Sequence, residues 1–165
     1  MPGVFMNLLK QNEYKQFEIP EEIFTLSTCK SRTAITAFLS LNCNPCKKAF
    51  NQLKTLFEHE GITLHLIVSF HEKNNVLVNR MARLFREKRI NEAMSLLESW
   101  YNNGSIVSED PDENQTEDCY ERINKTHRQL FKNTEVSGTP TIFIDGYKLP
   151  MEYEDIAYFI DVLQQ

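Results

Sequence analysis

Hydrophobic positions follow two periods along this chain, and their order predicts alternating strands and helices. Residues 33–41 are apolar on both faces, as expected of a central buried strand. From there to about residue 59 apolar residues recur every three or four positions, which predicts a helix that ends at Gly61. The buried face of that helix is Ala49, Phe50, Leu53, Leu56 and Phe57. Residues 62–70 predict a second central strand, so this strand–helix–strand unit should pair its strands in parallel.

The stretch from residue 74 to residue 133 breaks this alternation. It contains three successive faces with helical spacing, which predict three helices between strands. The faces are Leu77, Met81, Leu84 and Phe85, then Ala93, Leu96, Leu97, Trp100 and Tyr101, then Tyr120, Ile123, His127, Leu130 and Phe131. We interpret residues 72–134 as a helical insertion within a single domain spanning residues 1–165. Residues 108–118 hold six acids and predict an exposed loop that aids solubility or, as the weaker alternative, docks a partner.

The two ends of the chain carry shorter patterns. Residues 17–19 and 23–27 alternate apolar and polar positions, which predicts short strands or an irregular edge segment. Residues 141–149 predict two antiparallel strands joined by the turn Asp145-Gly146. Periodic apolar residues predict a final helix over residues 153–163.

Composition and charge narrow the possible functions. The chain has 165 residues, of which 41% are hydrophobic, enough for a sizeable core. Its net charge of −5 gives no electrostatic support to nucleic-acid binding. No stretch approaches the ~18 apolar residues of a membrane span, and the first ten residues lack the pattern of a signal peptide. We therefore expect either a cytosolic protein or a piece of a longer exported or membrane-bound chain.

The candidate chemistry lies in Cys43-Asn44-Pro45-Cys46, between the first central strand and its helix. A cysteine pair at this spacing and place predicts a dithiol redox site. The thiolate is the reactive species, and the positive end of the helix should lower the pKa of Cys43. Cys46 falls in the first helical turn, close enough to close a disulfide. Pro45 falls near the first helical position, where its missing N–H costs nothing.

Together with this motif and the element order, Gly138-Thr139-Pro140-Thr141 makes the sequence resemble the thioredoxin superfamily over nearly the whole chain. The resemblance implies an α/β, thioredoxin-like fold, with a central mixed sheet, flanking helices and an inserted helical subdomain. It also implies a cis Thr139-Pro140 bond beside the disulfide, which would offer the Thr139 backbone to an extended substrate and keep metals off the cysteine pair. Neither a cofactor nor a metal ion is expected.

A narrower resemblance rests on residues 93–101, 139–150 and 152–156. These segments are similar to the thioredoxin-like domain fused to bacterial vitamin K epoxide reductase homologues, and to DsbA-type proteins with a helical insertion. That similarity implies disulfide formation in exported proteins, on the periplasmic or extracytoplasmic side of the membrane. The implied partners are unfolded or extended thiol-containing proteins and a membrane quinone reductase, fused or separate.

Two departures from better-known members leave the direction of electron flow open. Thioredoxin and DsbA carry an acid six residues before the first cysteine, where this chain has Ala37. Their reduction potentials differ by about 150 mV, and the uncharged Asn44 brings no charge to stabilise a thiolate. We therefore expect an intermediate potential, with a disulfide reductase or isomerase as the alternative function.

Other residues are weaker candidates for a role at the same site. Lys47 and Lys48 either add positive field near the cysteines or are solvated helix residues. Cys119 is expected to be an inert, partly buried thiol, whereas Cys29 should be more exposed, with pairing to Cys119 left open. The histidines form no metal-spaced cluster: His59, His65, His71 and His127. A metal-binding module and a redox-inactive peptide-binding module remain as lesser alternatives.

Overall fold

A five-stranded sheet forms the centre of the protein, with strand order β1-β3-β2-β4-β5. The computed structural model describes residues 9–11, 13–27, 33–58, 62–104 and 118–150. The strands are β1 (Phe24–Ser27), β2 (Thr33–Ser40), β3 (Ile62–Ser69), β4 (Thr141–Ile144) and β5 (Tyr147–Lys148). The helices are α1 (Asn44–Phe57), α2 (Asn75–Arg86), α3 (Ile90–Asn103) and α4 (Tyr120–Asn133), with a 3₁₀ turn at Glu72–Asn74. None of the helices described is long and apolar enough to cross a membrane.

Strands β2 and β3 are the parallel pair at the centre of the sheet, in a register from Thr33 opposite Ile62 to Ser40 opposite Ser69. Strand β4 is antiparallel to β2, and β1 is antiparallel to β3. The mixed sheet with flanking helices confirms the predicted fold class. Of the two N-terminal patterns only the second is a strand. Residues 17–19 are irregular, and Pro20, which has no N–H to donate, follows them.

Side chains of successive strand residues point to opposite faces of the sheet, and each face has its own core. The larger core takes Ile35, Ala37 and Leu39 from β2. The smaller core takes one residue from each of β2, β3 and β4, and these are Phe38, Ile67 and Phe143. Because β2 contributes to both cores, its run of apolar residues on both faces is explained.

Helix α1 packs its apolar stripe against the larger core. Ala49, Phe50, Leu53 and Leu56 are buried, and Phe57 is partly buried. The helix ends at Phe57, two residues earlier than predicted, and its C-cap is Glu58. Gly61, the predicted end signal, lies outside the described residues.

The three helices predicted between the strands are present, with α2, α3 and α4 all lying between β3 and β4 in the chain. The limits of the helical insertion, residues 72–134 within one domain spanning residues 1–165, stay a prediction. The predicted final helix at 153–163, Cys29 and His59 lie outside the described residues. So does the acidic segment 108–118 except for Asp118.

The turn between β4 and β5 has the predicted two-residue form. Asp145 and Gly146 both have positive φ, at 49° and 88°. A Cβ at Gly146 would lie 2.7 Å from the backbone oxygen of Lys15, so only glycine fits there. The Asp145 carboxylate accepts the Ala34 N–H at 2.8 Å, which fixes the turn to the start of β2.

Candidate active site

The cysteine pair lies where β2 ends and α1 begins. Cys43 is the N-cap of α1, with extended backbone angles, and its Sγ accepts the N–H of Cys46 at 3.2 Å. The two cysteines form a disulfide with their Cα atoms 5.1 Å apart. Pro45 lies in the first turn, as expected from the sequence. The structure therefore brings the two predicted sulfurs together at a helix N-terminus.

The two sulfurs differ in accessibility. Cys46, in the first turn of α1, is fully buried, whereas Cys43 is partly exposed. Asn44 and Pro45, between them, are exposed. An incoming thiolate can therefore reach the Cys43 sulfur, and Cys46 is placed as the leaving group.

The Thr139-Pro140 segment lies beside this disulfide. The peptide bond before Pro140 is cis. The Cys43 Sγ is 3.6 Å from the carbonyl oxygen of Thr139, across 96 residues of sequence. The two segments that carry the sequence resemblance thus meet in space.

A tyrosine of α3 reaches the same site, a role that no pattern in the sequence indicates. The Tyr101 hydroxyl donates to the carbonyl oxygen of Ser40 at 2.9 Å. The N–H of Ser40 points to the Cys46 Sγ at 3.5 Å. Burial raises the pKa of Tyr101 far above its usual value, so its hydroxyl stays protonated and donates. The Ser40 residue is therefore held between the tyrosine and the buried sulfur.

No carboxylate stands behind the cysteines in the part of the chain that the structure describes. Ala37 is fully buried, opposite Leu66 in β3 and Ile142 in β4. The described residues include no buried Asp or Glu. Among the described residues no buried carboxylate is therefore available as a proton relay for Cys46.

Two clefts adjoin the Cys43–Cys46 segment, one lined by Cys43 and the other by Pro45. The insertion-side cleft, about 290 Å³, is lined by Cys43 itself, Lys47, Lys73 and the end of α3. The proline-side cleft, about 550 Å³, is lined by residues 134–143 and by Pro45 and Lys48 of α1. The two lysines after the motif thus face different clefts, Lys47 beside the reactive sulfur and Lys48 beside the cis-proline segment.

The remaining candidates lie away from the disulfide or outside the described residues. Cys119 is buried, and its sulfur and backbone N–H contact the side chain of Asn79. His127 is fully buried, and burial lowers its pKa to about 4. The Nδ1 of His65 lies 2.9 Å from the hydroxyl oxygen of Thr25, and burial also lowers the pKa of His65. Within the described ranges no three His, Cys, Asp or Glu residues are grouped so as to hold a metal ion.

Comparison with known proteins gives one family and many similar folds. The family described as "Thioredoxin" matches residues 28–162. The structure of oxidised BdbD from Bacillus subtilis superposes with a TM-score of 0.66 at 14% identity, covering 93% of this chain and 99% of that one. MdbA, a thiol-disulfide oxidoreductase from Actinomyces oris, gives a TM-score of 0.62 at 16% identity, with coverages of 87% and 86%.

A third similar structure is a periplasmic thioredoxin-like protein from Salmonella enterica serovar Typhimurium. Its TM-score is 0.61 at 16% identity, and the match covers 92% of this chain and 100% of that one. At these identities the structures establish a shared fold. The search of curated protein sequences returned no match.

Proposed function

The chain belongs to the thioredoxin family and, with its close-spaced cysteine pair, is a thiol–disulfide oxidoreductase; we propose that it forms disulfides in exported proteins through Cys43 and Cys46. The observation that carries the proposal is the partly exposed Cys43, disulfide-bonded to a fully buried Cys46 at a helix N-terminus. Such an arrangement directs attack to one sulfur and stabilises the thiolates formed on reduction.

The reaction proceeds in two exchanges. A substrate thiolate attacks the Cys43 sulfur, the Cys43–Cys46 bond breaks, and Cys46 leaves as a thiolate. A second substrate thiolate then attacks the substrate sulfur of the mixed disulfide, and Cys43 leaves. The substrate gains a disulfide and loses two electrons, which reduce the cysteine pair. The two protons of the substrate thiols end on solvent or on the reduced cysteines.

The proline-side cleft is the place we assign to the substrate backbone. The Thr139 carbonyl lies 3.6 Å from the reactive sulfur, so an extended chain bonded to Cys43 passes within hydrogen-bonding reach of this segment. Main-chain pairing of this kind does not depend on side chains, and it suits unfolded or extended thiol-containing substrates. Asn44, Pro45, Thr139 and Pro140 accordingly support the site rather than react.

The reduced pair must be reoxidised for turnover, and we assign that step to a membrane quinone reductase of the vitamin K epoxide reductase family, fused or separate. The support is the similarity of residues 93–101 and 139–150 to domains fused to that family. The proposal places the domain on the extracytoplasmic side of a membrane. The periplasmic Salmonella protein of the same fold supports that placement over the cytoplasm.

The test of direction is the reduction potential of the Cys43–Cys46 pair in glutathione buffers. The single tryptophan, Trp100, lines the cleft beside Cys43 and serves as a fluorescent reporter of its redox state. We expect a potential between those of thioredoxin and DsbA, about −270 and −120 mV, and above the glutathione poise of about −220 to −260 mV. A value at or below that of thioredoxin would contradict disulfide formation and favour the reductase alternative.

A further inference from the structure

The insertion-side cleft is the feature of the site that the proposed reaction leaves without an occupant. It lies between the start of α1, the 3₁₀ turn and the end of α3, and the reactive Cys43 is part of its wall. A polypeptide joined to Cys43 by a mixed disulfide has residues on both sides of its own cysteine. If one side follows the proline-side cleft, the other side extends toward the insertion-side cleft.

The charges lining this cleft have one sign. Among the described residues that line it, Lys47 and Lys73 are the only ionisable side chains apart from the cysteine and Tyr101, and none is an acid. Within the described residues neither lysine forms an ion pair or hydrogen bond with an acid, whereas Lys15 and Lys54 do. Glu72 precedes Lys73 in the chain but does not line the cleft.

The groups opposite the lysines are neutral. Trp100 and Tyr101 supply aromatic surface, and the Tyr101 hydroxyl is already bonded to Ser40. The carbonyl of Trp100, near the end of α3, is satisfied by the N–H of Gly104 at 2.8 Å. Among the described residues, a carboxylate entering this cleft would therefore meet two ammonium groups and no competing acid.

Resting on the proposed function, we propose that this cleft binds an acidic side chain of the protein substrate close to its reacting cysteine. The domain then prefers thiol substrates with Asp or Glu on one side of the cysteine. The proline-side cleft, with Glu13 and Glu135 among lysines, carries no such single sign. Selectivity thus comes from the insertion-side cleft, and general affinity for extended chains comes from the other.

The test uses the oxidised protein and reduced peptides with one cysteine. Four peptides carry Glu or Gln either two residues before or two residues after the cysteine. The rate of reduction of Cys43–Cys46 is followed through Trp100 fluorescence, and each rate is divided by that peptide's rate with a small disulfide to remove differences in thiol reactivity. We expect Glu to accelerate the reaction about three- to five-fold over Gln in one positional isomer only, as for partly exposed ion pairs.

Substitutions locate the effect. Lys47→Gln with Lys73→Gln should abolish the Glu preference, and Lys73→Glu should reverse it toward a Lys-containing peptide. Lys125→Gln with Lys132→Gln is the matched control, since both lysines are exposed on α4 outside both clefts and their joint loss changes the net charge equally. The control protein should still react faster with the Glu peptide than with the Gln peptide.

Three results would overturn the inference: equal rates for Glu and Gln, acceleration in both isomers, or a preference that survives loss of both lysines. Each of these can occur while the Gln peptides still reduce the disulfide at the normal rate. Failure of the proposed function looks different, because then no peptide reduces Cys43–Cys46. The two failures are therefore distinguishable in one data set.

Discussion

At the scale of single residues, the site depends on the unequal surroundings of two sulfurs. Cys43 caps α1 and is partly exposed, whereas Cys46 is buried and lies near the N–H of Ser40. A hydrogen bond from that N–H stabilises a thiolate more than a disulfide sulfur, because the thiolate carries the charge. The orientation of Ser40 therefore contributes to the reduction potential.

Tyr101→Phe tests this contribution by removing only the hydroxyl that holds the Ser40 carbonyl. Loss of one hydrogen bond should weaken the support of the Cys46 thiolate by about 0.5–1.5 kcal/mol, which lowers the reduction potential by roughly 10–30 mV. The measurement is the equilibrium potential in glutathione buffers, with the unfolding free energy recorded for both redox states.

Tyr120→Phe is the control for that experiment, because Tyr120 is a buried tyrosine of α4 that does not contact Ser40. It should leave the potential unchanged. A Tyr101→Phe protein with the native potential, even if less stable, would show that the tyrosine has only a packing role.

At the scale of elements, a histidine joins α4 to the sheet. His127 accepts the N–H of Val68 at its Nδ1, at 2.9 Å, and its Nε2 lies 3.3 Å from the carbonyl oxygen of Glu22. The rings of Phe24 and Phe70 lie about 5 Å from its own, at 5.1 and 5.2 Å. This apolar enclosure keeps the imidazole neutral, because burial lowers its pKa to about 4.

This neutral histidine predicts a loss of stability in acid. The folded pKa of about 4 lies below the reference value of 6.5, so between these pH values the unfolded chain binds a proton that the folded chain does not. Above pH 6.5 this histidine does not lower the free energy of unfolding. As the pH falls to about 4, the free energy of unfolding decreases by about 3 kcal/mol. The measurement is denaturant unfolding at a series of pH values.

His127→Gln keeps a donor and an acceptor but cannot titrate, so its unfolding free energy should fall less steeply over the same range. His71→Gln, at an exposed position, should behave as the native protein does. If the native and His127→Gln profiles run parallel between pH 7 and pH 4, the buried histidine is not the cause of the acid sensitivity.

Elements with local causes were predictable from the sequence. Helix α1 follows from the cap at Cys43, the proline at Pro45 in its first turn and one apolar stripe along its fourteen residues. The turn at Asp145-Gly146 follows from two residues that tolerate positive φ. The sequence pattern predicts an end of α1 at about residue 59, whereas the helix ends at Phe57, because helix ends fray and carry weaker signals.

Contacts between distant segments were not predictable in the same way. Tyr101 and Ser40 are 61 residues apart, and periodicity marked Tyr101 only as a core residue of its helix. No sequence pattern marks Lys73, which lies in the cleft beside Cys43. Such pairings depend on how α3 and the 3₁₀ turn dock on α1, and no local pattern encodes that geometry.

At the scale of the whole molecule, the reactive sulfur lies close to two unlike clefts. Helix α3 and the 3₁₀ turn line the cleft that includes Cys43, and the cis-proline segment, whose Thr139 carbonyl is 3.6 Å from the sulfur, lines the other. A substrate chain bound across both would be held by its backbone on one side and by a charged side chain on the other. The Cys43 sulfur is the point where the two interactions meet the chemistry.

Transfer of the disulfide to a substrate tests the proposed reaction most directly. Oxidised protein is mixed with an equal amount of a reduced peptide that has two cysteines, and the products are acid-quenched and identified by mass. We expect an intramolecular disulfide in the peptide and free thiols at Cys43 and Cys46, with no transfer from the Cys43→Ser protein. A peptide that stays reduced beside an intact Cys43–Cys46 disulfide, or one oxidised equally well by Cys43→Ser, would contradict the proposed reaction.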